Sequence, residues 1–174
     1  VDGSNLCRLD DADMIVEGTH SPLPERNYRA PSEIDQTIAE LVVNEIPDGA
    51  VLSLGVGTVP FAIATALADS DKKDLGCHTG TISDAYQKLY LAGKLTNARK
   101  EFDTGLSSFN LAMGSAAFYD WLRENPKLFR PDSIDYIHDP ARIGKLSRVI
   151  SINGGVQVDL MGQENAESAN GMQL

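Results

Sequence analysis

The residues best suited to chemistry are Gly55-Val56-Gly57, which close the apolar run Val51-Leu52-Ser53-Leu54. The chain then opens into Pro60-Phe61-Ala62-Ile63, a pattern that predicts a buried strand, a glycine turn and a helix starting at its proline. Such a turn leaves backbone N–H groups unbonded and aims a helix N-terminus at an anion or a carbonyl oxygen. A second short strand, through Gly76-Cys77-His78, leads into Thr79, Gly80 and Thr81, and its end is expected beside the first. Adjacent strand ends carrying small residues are where an open α/β sheet places a ligand. From spacing alone, a tight strand-to-helix connection is the commoner reason for such glycines.

Other groups offer less. His78 has the chemistry of a general base, but a lone histidine at a strand end more often has a structural role. His138 sits in the turn Tyr136-Ile137-His138-Asp139-Pro140 as a hydrogen-bonding residue, and His20 falls in an irregular segment. Three histidines and the distant pair Cys7 and Cys77 have no metal-ligand spacing, so no metal is expected. Glu164 and Glu167, behind the turn Gly162-Gln163, could present a carboxylate at the rim of a site or stand as exposed loop acids. Asp84 suits the charge balance of a helix start. Gly57 is not followed by the lysine of a phosphate-binding loop.

The ordered motifs resemble the acetyl-CoA hydrolase/transferase family, in the 4-hydroxybutyrate CoA-transferase branch of the family I CoA-transferases. The resemblance rests on IPDGAVLSLGVGTVP, LGCHTGTISDAYQKLYLAGKLTNARK, NLAMGSAAFYDWLRENP and DYIHDPARIGKLSRVISINGGVQVDLMGQENAES. Upstream, DADMIVEGTHSPLPE resembles the linker between the two halves of such enzymes. It implies an open, mainly parallel α/β sheet flanked by helices, of the CoA-transferase type. It also implies acyl-CoA and small carboxylates as partners, coenzyme A as substrate with no covalently bound cofactor, and a homo-oligomer. In relatives a backbone N–H of the glycine turn helps hold the thioester oxygen, and Val56 is the matching position. Gly55, Gly57, Thr58, His78, Thr79, Asn153 and Gly154 match the surrounding CoA cleft. The family's HTE or HSE segment carries the glutamate that forms an acyl-glutamyl and then a glutamyl-CoA intermediate; here its position is Gly80. Glycine supplies neither nucleophile nor base. Acyl-CoA hydrolysis or CoA transfer without that glutamate, and a CoA-binding module without turnover, both stay open. Gly80→Glu is expected to restore the covalent intermediate.

These residues need elements to hold them. Ile34, Ile38, Leu41, Val42 and Ile46 recur at helical spacing behind Pro31-Ser32, and Pro47-Asp48-Gly49 stops that helix. Strand 50–54 and helix 60–68 follow, then strand 76–78 and a helix over 83–92 with Ser83 as N-cap. A strand over 107–113 precedes a helix over 116–124, where Phe118, Trp121 and Leu122 share a core face. Ser133 to Ile137 reads as a strand, as do 148–153 and 156–160, the last two joined as a hairpin at Gly154-Gly155. Met14-Ile15-Val16 reads as an edge strand. Residues 1–30 are expected to be linker and edge, and 31–174 the first part of a C-terminal domain within a longer protein. Strands alternating with helices argue for a parallel sheet covered on both faces.

The composition fits that reading. The 174 residues are 42% hydrophobic, mean hydropathy is −0.20, and no apolar run approaches the ~18 residues of a membrane span. A net charge of −10 argues against nucleic acid and anionic membranes. The first residues lack the basic and apolar regions of a signal peptide, and two cysteines fit a reduced, cytoplasmic setting.

Overall fold

Five strands, β1 (Val51–Leu54), β2 (Gly76–Ile82), β3 (Ser107–Ala112), β4 (Phe129–Pro131) and β5 (Val149–Ile152), form one sheet in the order β4-β3-β2-β1-β5. Every pairing in it is parallel. The computed structural model describes residues 8–19, 21–169 and 171–173; Cys7 and His20 lie outside them. The helices are α1 (Glu33–Glu45), α2 (Thr58–Asp69), α3 (Asp84–Leu91), α4 (Ala116–Glu124), α5 (Ile134–Ile137) and α6 (Pro140–Ile143). None among the described residues is long and apolar enough to cross a membrane.

The strand β1 lies inside the sheet, with β2 paired on one edge and β5 on the other. Val51, Leu52 and Leu54 are buried, and Leu52 and Leu54 pack with Ile63 and Leu67 of α2 and with Tyr86 and Leu89 of α3. Each such side chain contributes about 1.5–3 kcal/mol of transfer free energy. The helix α1 packs on α2, and α2 on α3. Ser32 caps α1 through a reciprocal box: Asp35 N–H donates to Ser32 Oγ, and Ser32 N–H donates to Asp35 Oδ2 at 2.8 Å. That box turns Asp35 inward with Ala39 and Val43, so the buried face of α1 is rotated from the one expected. Ile34 and Leu41 are exposed at 73% and 65%.

Four expectations need correction. Ser133 to Ile137 is the helix α5 and not a strand, because Ser133 Oγ caps it by accepting from Tyr136 N–H; the strand here is β4, which completes the sheet beside β3. The segments 148–153 and 156–160 do not form a hairpin. Instead β5 joins β1 in parallel, and β6 (Gln157–Val158) pairs antiparallel with β7 (Glu164–Asn165). A second short ribbon joins β8 (Ser168–Ala169) to β9 (Met172–Gln173). Met14, Ile15 and Val16 form no strand and are exposed. The strand β2 continues past His78 to Ile82, which puts Gly80 inside it.

Candidate active-site cleft

The chain runs β1 to β4 in one direction across the sheet and then returns β5 to the opposite side of β1. At that reversal the carboxyl ends of β1, β2 and β5 bound a cleft of about 460 Å³, a size suited to a small-molecule site. Gly55, Val56, His78, Thr79, Gly80 and Asn153 all line it. Gly57 and Thr58 adjoin it as the N-cap and first residue of α2. Gly154 follows Asn153 without lining the cleft; Glu164 lies in β7 and Glu167 between β7 and β8, and neither lines it.

One wall is backbone. Gly57 caps α2 with φ +145° and ψ 179°, a region open to glycine. Gly57 C=O accepts from Phe61 N–H at 3.1 Å, while no described residue accepts from the N–H of Val56, Gly57 or Thr58. Gly55 N–H donates to Ile152 C=O at 2.8 Å, and a Cβ on Gly55 would lie 2.7 Å from Asn153 Oδ1. Glycine is thus what lets β5 bring Asn153 against the turn. Tyr86 fixes the approach to that turn. Its buried hydroxyl accepts from Leu54 N–H at 2.7 Å and donates to Leu52 C=O at 3.2 Å.

The opposite wall comes from α5, fastened through a buried polar layer. His78, Ser108 and Arg130 are in register across β2, β3 and β4. Lys100 Nζ donates to Cys77 C=O, Leu106 C=O and Ser108 Oγ at 2.8–3.0 Å, and burial pushes its pKa down to about 8. Asp103 accepts from Ser108 Oγ at 2.7 Å and from the Tyr136 hydroxyl of α5, and pairs with Arg130 at 3.3 Å. Arg142 of α6 stacks on Tyr136, 3.8 Å from the ring centre.

His78 belongs to this layer. Its Nε2 donates to Ile137 C=O at 2.7 Å, its ring meets Phe102 edge-on, and it is 4% exposed. Burial holds it below the ordinary histidine value against the raising effect of the Ile137 bond, so the ring is neutral and acts as a clamp. Cys77 is no nucleophile, since burial pushes its thiol up to about 11. Asp84 reaches across to α4, accepting from Ser115 N–H at 3.1 Å and Ser115 Oγ at 2.5 Å.

His138, expected as a hydrogen-bonding residue in a turn, is instead the C-cap of α5, and its ring, with no hydrogen-bond partner among the described residues, meets Gly80. A Cβ placed on Gly80 would lie 2.8 Å from His138 Nε2 and 3.3 Å from Cε1. The signal for this was Gly80 itself, because a glycine inside a strand marks the close approach of another group. What approaches could not be read, since the two residues meet only through the α5 fold.

The fold and cleft define a domain of the CoA-transferase type. Residues 114–174 match the acetyl-CoA hydrolase/transferase C-terminal domain. The butyryl-CoA:acetate CoA-transferase of Anaerostipes caccae is 40% identical over 163 residues, covering 93% of this chain and 36% of its own length. The 4-hydroxybutyrate coenzyme A transferase of Clostridium kluyveri is 37% identical, covering 95% and 38%. Among solved structures, RipA from Yersinia pestis superposes with TM-score 0.80 at 36% identity over 86% of this chain and 34% of its own. The 4-hydroxybutyrate CoA-transferase from Porphyromonas gingivalis superposes with TM-score 0.75 at 33% identity, over 83% and 36%. The chain belongs to the acetyl-CoA hydrolase/transferase family. It spans little more than a third of the length of these relatives.

Proposed function

We infer that the cleft takes an acyl-CoA with its thioester over the turn Gly55 to Thr58, and that the thioester is cleaved without an enzyme carboxylate. One observation carries this reading: among the described residues the walls combine unbonded N–H groups and small residues with no Asp or Glu side chain. The Val56 N–H serves as donor to the thioester oxygen, a contribution of ~2.7–4 kcal/mol where such donors have been removed elsewhere. Coenzyme A is then a substrate and small carboxylates are the acyl products or acceptors. Covalent transfer through an acyl-enzyme anhydride lacks its nucleophile at Gly80, which favours water as the acceptor. Residues 31–174 act as the first part of a C-terminal domain, with the preceding segment as linker.

A CoA-binding module without turnover is the second reading, favoured by the same missing carboxylate and by the engaged Nε2 of His78. Acetyl-CoA added to the complete protein, followed by free-thiol release and by calorimetry with CoA, separates the two. CoA bound with no thiol released selects the binding module. Gly57→Val forces a β-branched residue into a glycine-only conformation at the turn. It is expected to weaken CoA binding at least tenfold, and an unchanged affinity refutes the placement of the thioester.

A further inference from the structure

We propose that His138 is the general base of this cleft, acting on water at the thioester from the space that the absence of a side chain at Gly80 opens. The proposal rests on the acyl-CoA reading above. Its ground is the way the ring is held. The peptide entering His138 is gripped from two sides: Ile137 C=O accepts from His78 Nε2 at 2.7 Å, and His138 N–H donates to Ile134 C=O at 2.8 Å. Asp139, the next residue, is tied down as the cap of α6 by accepting from Ala141 N–H at 2.9 Å. The α5 segment is itself locked to the sheet through Tyr136 and Asp103.

His78 and Gly80 lie two apart on β2 and so share a face. The clamp at position 78 therefore delivers the His138 ring over position 80, where any Cβ would collide with Nε2. No described residue holds a hydrogen bond to the His138 ring, and the residue lines the cleft with Nε2 beside Gly80. His78 is buried and engaged, whereas His138 is exposed to the cleft, so the two histidines divide positioning from proton transfer.

The step balances as a hydrolysis. His138 takes a proton from water as the water oxygen bonds to the carbonyl carbon, and the carbonyl electron pair moves to oxygen opposite the Val56 N–H. When C=O re-forms, the C–S bond breaks, and the imidazolium proton passes to sulfur. A carboxylic acid and free CoA thiol leave.

The test uses the complete protein with acetyl-CoA. His138→Ala should lower the rate constant for thiol release by about 10²- to 10⁴-fold, the span of a lost general base, with CoA affinity by calorimetry little changed. Added imidazole should restore part of the lost rate, which a merely structural role would not allow. Gly80→Ala keeps the histidine but puts a methyl group against Nε2, and should also slow release. Full activity in His138→Ala, or no response to imidazole, overturns the proposal while leaving the acyl-CoA reading intact. CoA bound by the wild-type protein without any thioester cleavage overturns it too. Absence of CoA binding removes the acyl-CoA reading and this proposal together.

Discussion

Tyr86→Phe removes one oxygen atom and tests how β1 is finished. The strands β1 and β2 are paired at Val51 with Gly76 and at Leu52 with Cys77, and then they part. By Leu54 the N–H that points towards β2 has no strand to meet, and the Tyr86 hydroxyl supplies the acceptor at 2.7 Å. The ring is fully buried, so water cannot take over. Burial also raises the phenol well above its ordinary value, so it remains a hydroxyl across the working pH range. Phenylalanine fills the same space and leaves a buried N–H unpaired, at a cost of ~1–3 kcal/mol; the Leu52 carbonyl loses a longer bond as well. A loss near 2 kcal/mol, with a urea slope of about 2 kcal/mol/M, moves the unfolding midpoint down by about 1 M. Circular dichroism across a urea series on the chain reads this directly. Tyr119→Phe is the control, because its hydroxyl bonds to Pro24 C=O on the surface, and it should shift the midpoint far less. Equal midpoints for wild type and Tyr86→Phe would refute the claim that this hydroxyl completes the strand.

Two further outcomes are expected. The folded pKa of His78 is depressed by burial, so its contribution to stability is present above the unfolded value of ~6.5 and is lost as pH falls below it, by at most about 1.4 kcal/mol per pH unit. Urea midpoints measured from pH 8 to pH 5 should fall on the acid side, and His78→Gln should flatten that limb; an unchanged slope means His78 is not held neutral. Gly80→Glu builds its Cβ against His138 Nε2. Borohydride trapping of a glutamyl-CoA adduct, read by mass spectrometry, should therefore succeed better in Gly80→Glu/His138→Ala than in Gly80→Glu alone, and the reverse order would show that the ring yields freely.

The glycine turn and β1 were legible because a continuous apolar run between turn signals admits few other structures, whereas β2, with only Cys77 and Ile82 apolar, was read no further than His78. The parallel sheet followed from strands alternating with helices. Ser133 to Ile137 was not legible, since so few residues carry no usable period; a serine cap and the pairing of Phe129 to Pro131 decide the matter through tertiary contacts. The face of α1 was misread because hydrophobic spacing gives no weight to a capping carboxylate, and Asp35 goes inward with its box. The Gly154-Gly155 pair looked like a hairpin because the chain next to it is extended. Its strand was already committed to β1, far away in sequence. The cleft's backbone wall was visible in the glycines, and its other wall was not, since His138 reaches Gly80 only after α5 has docked.

That same β1–β5 pairing bears on the order in which the molecule assembles. It joins residues roughly a hundred positions apart, the kind of contact whose closure entropy is met late in folding. Until β5 arrives, Asn153 is not beside Gly55 and the cleft has no third wall. Recovery of ligand binding during refolding should therefore lag behind the formation of helix α3 and of the β1–β2 pairing. A nascent chain that has extended only through β4 holds most of the hydrophobic core and none of the finished site.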